Sequence, residues 1–233
     1  MNRLPKLTPR LATIAQSVPQ GAIVADVGTD HGYIPVYLTA AGICPKAYAS
    51  DIKEGPIASA KKNIAAYGME EKVTALVAPG LEGLEQSDAD TIVIAGMGGE
   101  MIRDIIKASN LAKKEGVTLI LQPMTSQEDL KRYLFSHGFR VREERICQEG
   151  EKFYTILWVV RGEEPHPQEV YHYIGYHVLQ HHDEATLGYL RHQKKRYEAI
   201  RSAMEGKSGQ DQEKLRRVKE ILQVLAERLE GET

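Results

Sequence analysis

The run Ile23-Val24-Ala25-Asp26-Val27-Gly28-Thr29-Asp30-His31-Gly32, with Ser50-Asp51-Ile52 after it, decides how this chain folds. An apolar segment breaks on Asp26 and turns through Gly28 and Gly32; a second apolar segment closes on Asp51. The pattern predicts a strand, a tight turn, a helix and a second strand ending in a carboxylate. In a parallel α/β sheet that arrangement binds a nucleoside. The turn lets backbone approach the ligand, and the second acid accepts hydrogen bonds from ribose hydroxyls.

The choice of nucleoside follows from charge. A dinucleotide site reads G-x-G-x-x-G, and its middle glycine admits a pyrophosphate at a helix N-terminus. Here the order is Asp26-x-Gly28-x-Asp30-x-Gly32. It resembles the D-x-G-x-G-x-G turn of S-adenosylmethionine (SAM) methyltransferases, with Asp30 in the place of the central glycine. A carboxylate there repels a pyrophosphate, whereas SAM carries a sulfonium and an ammonium that Asp26 and Asp30 attract. A nicotinamide dinucleotide site and a bare α/β core are the competing readings of the turn alone.

Outward from this stretch the chain alternates. Residues 8–18 read as a helix with Leu11, Ile14, Ala15 and Val18 at helical spacing, stopped by Pro19-Gln20-Gly21. Strands are expected at 23–25, 47–50, 73–77, 91–95 and 117–121, with helices at 34–41, 55–67, 101–108 and 127–136 between or after them. Residues 139–146 and 153–160 have no helix between them and read as an antiparallel pair at the sheet edge. Five β/α units followed by a hairpin make a doubly wound sheet. Residues 161–167, Arg-Gly-Glu-Glu-Pro-His-Pro, read as a linker. Beyond it, Leu215, Val218, Leu222, Leu225 and Leu229 keep a coiled-coil spacing, and Leu187, Leu190, Tyr197, Ile200 and Met204 make a matching stripe. Gly206-Lys207-Ser208-Gly209 joins them into an antiparallel helical hairpin. The expected domains are 1–162 and 163–233.

The length suits one α/β domain and a small appendage. A net charge of −2 excludes a uniformly basic nucleic-acid binder, so such contacts must come from local patches. Cys44 and Cys147 lack metal-ligand spacing and read as two reduced structural thiols. With no apolar signal core or long apolar span, a cytoplasmic protein without membrane contact is expected.

Several further segments carry chemistry. Ala95-Gly96-Met97-Gly98-Gly99-Glu100 follows the fourth strand, where ligands bind in open α/β sheets. Its glycines permit close backbone approach; the plain alternative is a glycine-rich helix entry. Gln122 in Leu121-Gln122-Pro123 either hydrogen-bonds a base edge or sits in a simple turn. His31 is a base, a stacking group or a structural histidine, and one His defines no metal site. Ala78-Pro79-Gly80-Leu81 lies where adenine would, or is a plain turn. Arg3, Lys6 and Arg10 form one basic edge. Arg191, Lys194, Lys195 and Arg196 form a second on the hairpin, with Arg216, Arg217 and Lys219 on the partner helix. The hairpin charges are mixed, so a solvated face competes with phosphate contact.

Taken together, the chain resembles the bacterial tRNA adenine-N1 methyltransferases that modify adenosine 22. The matching blocks are Thr8-Pro9-Arg10-Leu11, residues 25–35 with Asp-His-Gly-Tyr-Ile-Pro, Asp51-Ile52-Lys53-Glu54-Gly55-Pro56, Ile94-Ala95-Gly96-Met97-Gly98-Gly99 and Gln122-Pro123. One departure is Pro79, where the family commonly has Gly-Asp-Gly-Leu, which leaves the backbone of Gly80 and Leu81 to meet adenine. The resemblance implies a Rossmann-like class I SAM methyltransferase sheet with a C-terminal helical, coiled-coil hairpin. It implies SAM held by Arg10, Asp26, Gly28, Thr29, Asp30, His31, Asp51, Ile52, Gly80, Leu81, Ala95 and Gly96. Asp30, His31, Gly96, Met97, Gly98 and Gly99 would border the reacting atoms, without a metal. It implies tRNA as partner, docked on the hairpin and the N-terminal basic edge, with a monomer as one expectation. Two other readings stand beside it: a methyltransferase for a small molecule or protein, and a non-catalytic SAM-binding interaction protein.

Overall fold

A computed structural model describes residues 4–205 and 212–231. Arg3 and the expected 206–209 joint lie outside the described residues. The chain opens with α1 (Pro9–Gln16), then β1 (Ile23–Val27), α2 (Tyr33–Ala40), β2 (Lys46–Asp51), α3 (Glu54–Ala66) and β3 (Val73–Val77). Next come β4 (Thr91–Gly98), α4 (Gly99–Ala108), β5 (Thr118–Thr125) and α5 (Gln127–Ser136). The hairpin β6 (Phe139–Glu149) and β7 (Lys152–Arg161) follows, then α6 (Glu169–Tyr173), α7 (Glu184–Glu205) and α8 (Gln212–Glu230).

The seven strands form one sheet in the order β3-β2-β1-β4-β5-β7-β6. β1 to β5 are parallel, and β7 runs antiparallel to both β5 and β6. β7 thus folds back into the sheet beside β5 and leaves β6 at the edge. The central strands are near-continuous apolar runs because helices cover both faces. Alternation still sorts their side chains. Ile92, Ile94, Leu119 and Leu121 enter one core layer, whereas Val93 and Ile120 enter the other with Val24, Ile34 and Leu38. The order reverses at β1, which pairs with β2 on one side and β4 on the other. That switch point opens a crevice at the carboxyl ends of the strands.

Several expected boundaries shift by a few residues, and two of the shifts bear on the crevice. β4 does not stop at Ala95, because Met97 pairs with Pro123 and Gly98 with Thr125, with register irregularities on either side of Met97. The glycine segment is therefore a bulged strand end, made possible by Gly96 at φ +77. Likewise Gln122-Pro123 lies inside β5 and is not a strand-to-loop turn; the adjacent bulge accommodates the missing proline N–H.

The C-terminal helices do not hang from a free linker. Glu164 is buried and accepts hydrogen bonds from the N–H groups of Val141 (2.8 Å) and His166 (3.0 Å). Lys131 of α5 and Glu144 of β6 form a buried ion pair. Lys131 Nζ also donates to the Tyr171 carbonyl (3.2 Å), and Glu144 accepts from the His177 N–H (3.2 Å). A bulge between Val141 and Glu143 turns Glu144 inward. A third core joins Ile146 of β6 to Ile174, Tyr189, Leu190, Tyr197, Val218, Ile221, Leu222 and Leu225. The stripe on α7 and α8 is thereby closed within the chain, and it is broader than the coiled-coil spacing, taking in Tyr189 and Ile221.

Among the described residues no helix is long and apolar enough to cross a membrane, and no group of three or more His, Cys, Asp or Glu is placed to hold a metal ion.

Candidate functional site

A cleft of about 330 Å³ opens at the switch point, lined by Arg10, Leu11, Asp26, Gly28, Thr29, Asp30, His31, Tyr33, Ile34, Ala95 and Gly96. Its floor is the turn after β1. The N–H groups of Gly28 and Thr29 both donate to the Ser50 carbonyl (2.8 and 2.9 Å), which ties the turn to β2. Gly28 (φ +73) requires glycine because the left-handed backbone disfavours a side chain; a Cβ there would meet Met97 Cε, the flexible end of a side chain that can move aside. Asp30 also adopts a left-handed conformation (φ 51), which turns its carboxylate out to solvent at the mouth of the cleft.

Asp26 is the electrostatic centre. It is buried, and Thr29 Oγ1 donates to its Oδ2 at 2.6 Å. Burial pushes its carboxyl from an ordinary 3.8 up to about 7; the Thr29 bond opposes the rise and the charge of Asp51 adds to it. A buried carboxyl held near neutrality becomes fully ionised when a cation arrives. The cleft also holds Arg10, so it offers two carboxylates and one guanidinium to a ligand carrying both signs of charge.

Gln122 was open to two sequence readings, and the structure gives neither. It is fully buried. Its Oε1 accepts from Arg10 Nη1 (2.8 Å) and from the Gly96 N–H (3.1 Å), so no base edge can reach it. Tyr154 lies under the Arg10 guanidinium at 5.6 Å. Sequence reasoning missed Tyr154, because only the return of β7 alongside β5 brings it there. His31 is not a core histidine. Its side chain is half-exposed, 3.7 Å from Asp30 and with its ring 5.6 Å from that of Tyr33.

The remaining expected residues fall outside this cleft. Asp51 ends β2 and accepts the Lys53 N–H (2.9 Å), and Ile52 beside it is 66% exposed. Gly80 (φ +57) and Leu81 line a separate groove of about 460 Å³ with Pro79, Met101 and Ile105. The Leu81 side chain is buried in the sheet core, so only its backbone faces outward. Met97, Gly98 and Gly99 are not among the cleft's lining residues. Met97 packs behind Gly28. Gly98 has an ordinary φ of −64. Gly99 is required at the helix entry, where a Cβ would strike the carbonyls of Ser126 and Thr125. The segment is therefore a cleft-facing bulge at Gly96 and a tight helix entry at Gly99.

The chain is similar to known proteins over most of its length. Residues 7–157 match the family model described as a methyltransferase domain. The chain is 36% identical over 165 residues to the tRNA (adenine(22)-N(1))-methyltransferase of Bacillus subtilis (strain 168), covering 70% of this chain and 68% of that one. The crystal structure of the B. subtilis M1A22 tRNA methyltransferase TrmK superposes with a TM-score of 0.82 at 27% identity, over 96% of this chain and 99% of the other. Streptococcus pneumoniae Sp1610, crystallised in complex with S-adenosyl-L-methionine, superposes with a TM-score of 0.82 at 33% identity, over 96% and 100%. The chain is a class I, SAM-dependent methyltransferase, and it belongs to the tRNA (adenine(22)-N(1))-methyltransferase family.

Proposed function

We propose that this chain transfers a methyl group from SAM to N1 of adenosine 22 of tRNA. The observation that carries the cofactor half is the buried Asp26 carboxyl facing Arg10 across a cleft at the switch point. The substrate half rests on the B. subtilis relative. The donor set fits the cofactor: Asp26 and Asp30 suit an ammonium and a sulfonium, Arg10 suits a carboxylate, and Asp51 suits ribose hydroxyls. Ile52 and the backbone of Gly80 and Leu81, beyond Asp51, would hold the adenine. SAM, when bound, supplies an electrophilic methyl group on its sulfur.

The protein's part is positioning. Adenine N1 has a free lone pair, so no side chain needs to remove a proton before attack. The task is to align N1 with the methyl group and exclude water. Gly28, Thr29, Ala95 and Gly96 form the backbone wall that admits close approach, and Met97 holds that wall from behind. Asp30, His31 and Gly96 border the acceptor at the cleft mouth. N1 lies on the Watson–Crick edge, so the nucleotide must be unpaired or extruded.

For docking, we assign the exposed Arg191 and Lys195 of α7, the exposed Arg216 and Lys219 of α8, and Lys6 to the phosphate backbone. Arg217 is already engaged by Glu213 (3.1 Å) and Glu169 (3.6 Å). The chain divides functionally into a catalytic unit at 1–162 and a helical docking unit at 163–233, acting as a monomer in the cytoplasm. Closure of the helical stripe within the chain supports the monomer.

The test uses methyl-labelled SAM and unmodified tRNA transcripts, followed by digestion. Label in 1-methyladenosine mapped to position 22 is expected. Label at another nucleoside or position refutes the site, and label in no RNA refutes the substrate class.

A further inference from the structure

We propose that Gln122 is a positioning residue that sets Arg10 for the anionic end of the cofactor; this rests on the cofactor reading above. Gln122 has no solvent exposure, and its amide is engaged at both ends. Oε1 accepts from Arg10 Nη1 (2.8 Å) and from the Gly96 N–H (3.1 Å). Nε2 donates to the Pro123 carbonyl (3.0 Å) and lies 3.4 Å from Met124 Sδ. Donors on one side and a carbonyl on the other leave one amide orientation. Three segments far apart in sequence, α1, the bulge of β4 and the end of β5, therefore converge on one side chain.

The partners of Arg10 are neutral. One edge of its guanidinium meets the Gln122 amide and one face meets the Tyr154 ring. Among the described residues it makes no salt bridge, although it lines a cleft containing Asp26 and Asp30. Neutral clamps immobilise the fork without cancelling its charge, so the rest of the guanidinium stays available to an anion. A carboxylate at position 122 would hold Arg10 equally well but neutralise it. Glutamine is the residue of this shape that orients the arginine and leaves its charge to the ligand.

The experiment measures binding of two compounds by calorimetry. S-adenosylhomocysteine has the amino-acid end, and 5′-methylthioadenosine shares the nucleoside and thioether without it. Gln122→Glu is expected to weaken S-adenosylhomocysteine about tenfold and to leave methylthioadenosine within about twofold, the scale of one charged hydrogen bond. Arg10→Met, at a half-exposed position, is expected to reproduce that selective loss. Adding the neutral Gln122→Met to Arg10→Met is expected to cause no further selective loss. A variant that weakens both compounds equally has a merely structural defect and overturns the assignment, as does undiminished S-adenosylhomocysteine binding in either single variant. Wild-type protein that binds neither compound overturns the cofactor reading, and this one with it.

Discussion

Replacing Asp26 by Asn should stabilise the ligand-free protein while abolishing its affinity for the cofactor. In the folded chain Asp26 keeps its proton up to about pH 7, against 3.8 for an ordinary aspartate. Between those values the folded state binds more protons than the unfolded one, so stability falls as pH rises from about 4 to 7 and stays low above that. At about 1.4 kcal/mol per tenfold change in proton affinity, the penalty has a ceiling of about 4 kcal/mol. Asn keeps an oxygen for the Thr29 hydroxyl but weakens that bond, so about 2 kcal/mol should be recovered at pH 8. For a chain of this size that is roughly 4–8 °C in Tm. Near pH 4.5 the wild-type carboxyl is already protonated, and the gain should vanish. Thermal melts of both proteins at pH 4.5 and 8, with and without S-adenosylhomocysteine, measure all of this. The ligand should raise Tm for the wild type only. Wild-type affinity should fall about tenfold between pH 8 and 6 as Asp26 takes up its proton. A variant that melts no higher than wild type at pH 8, or that keeps its advantage at pH 4.5, refutes the argument.

Three further substitutions probe the frame around the cleft and the junction with the C-terminal helices. Gly28→Ala places a Cβ against Met97 at φ +73 and should lose about 1–2 kcal/mol to backbone strain alone, read from the denaturant midpoint, with S-adenosylhomocysteine binding weakened in parallel. Gly99→Ala drives a Cβ into the carbonyls of Ser126 and Thr125, which cannot yield as a side chain does, and should cost about 2 kcal/mol by the same measurement. Lys131→Met strands Glu144 as an uncompensated buried charge and should lose about 3–5 kcal/mol, most of which Lys131→Met with Glu144→Gln should recover. Equal midpoints for the single and double variants would show that the ion pair is not what secures that junction.

Much of the architecture is local and was readable without coordinates. β3 and α5 have the boundaries their patterns predict, and the turn from Asp26 to Gly32 forms as its glycines require. Strand ends were harder. The bulge at Gly96 and the continuation of β5 through Pro123 depend on pairing between strands, and neither segment shows that pairing in its own periodicity. The role of Gln122 and the presence of Tyr154 escaped for the same reason, since their partner Arg10 enters from α1, far away in sequence.

The sequence by itself determined the doubly wound sheet, the SAM-type turn and the residues along its rim, because periodicity, glycine placement and carboxylate position act over a few neighbouring residues. Only the tertiary structure decided that Asp26 titrates near neutrality, that Arg10 is held by neutral partners, and that Lys131 and Glu144 bind the C-terminal helices to the sheet. Desolvation and ion pairing depend on what lies within a few ångströms in space, and those neighbours are assembled only when distant segments pack together.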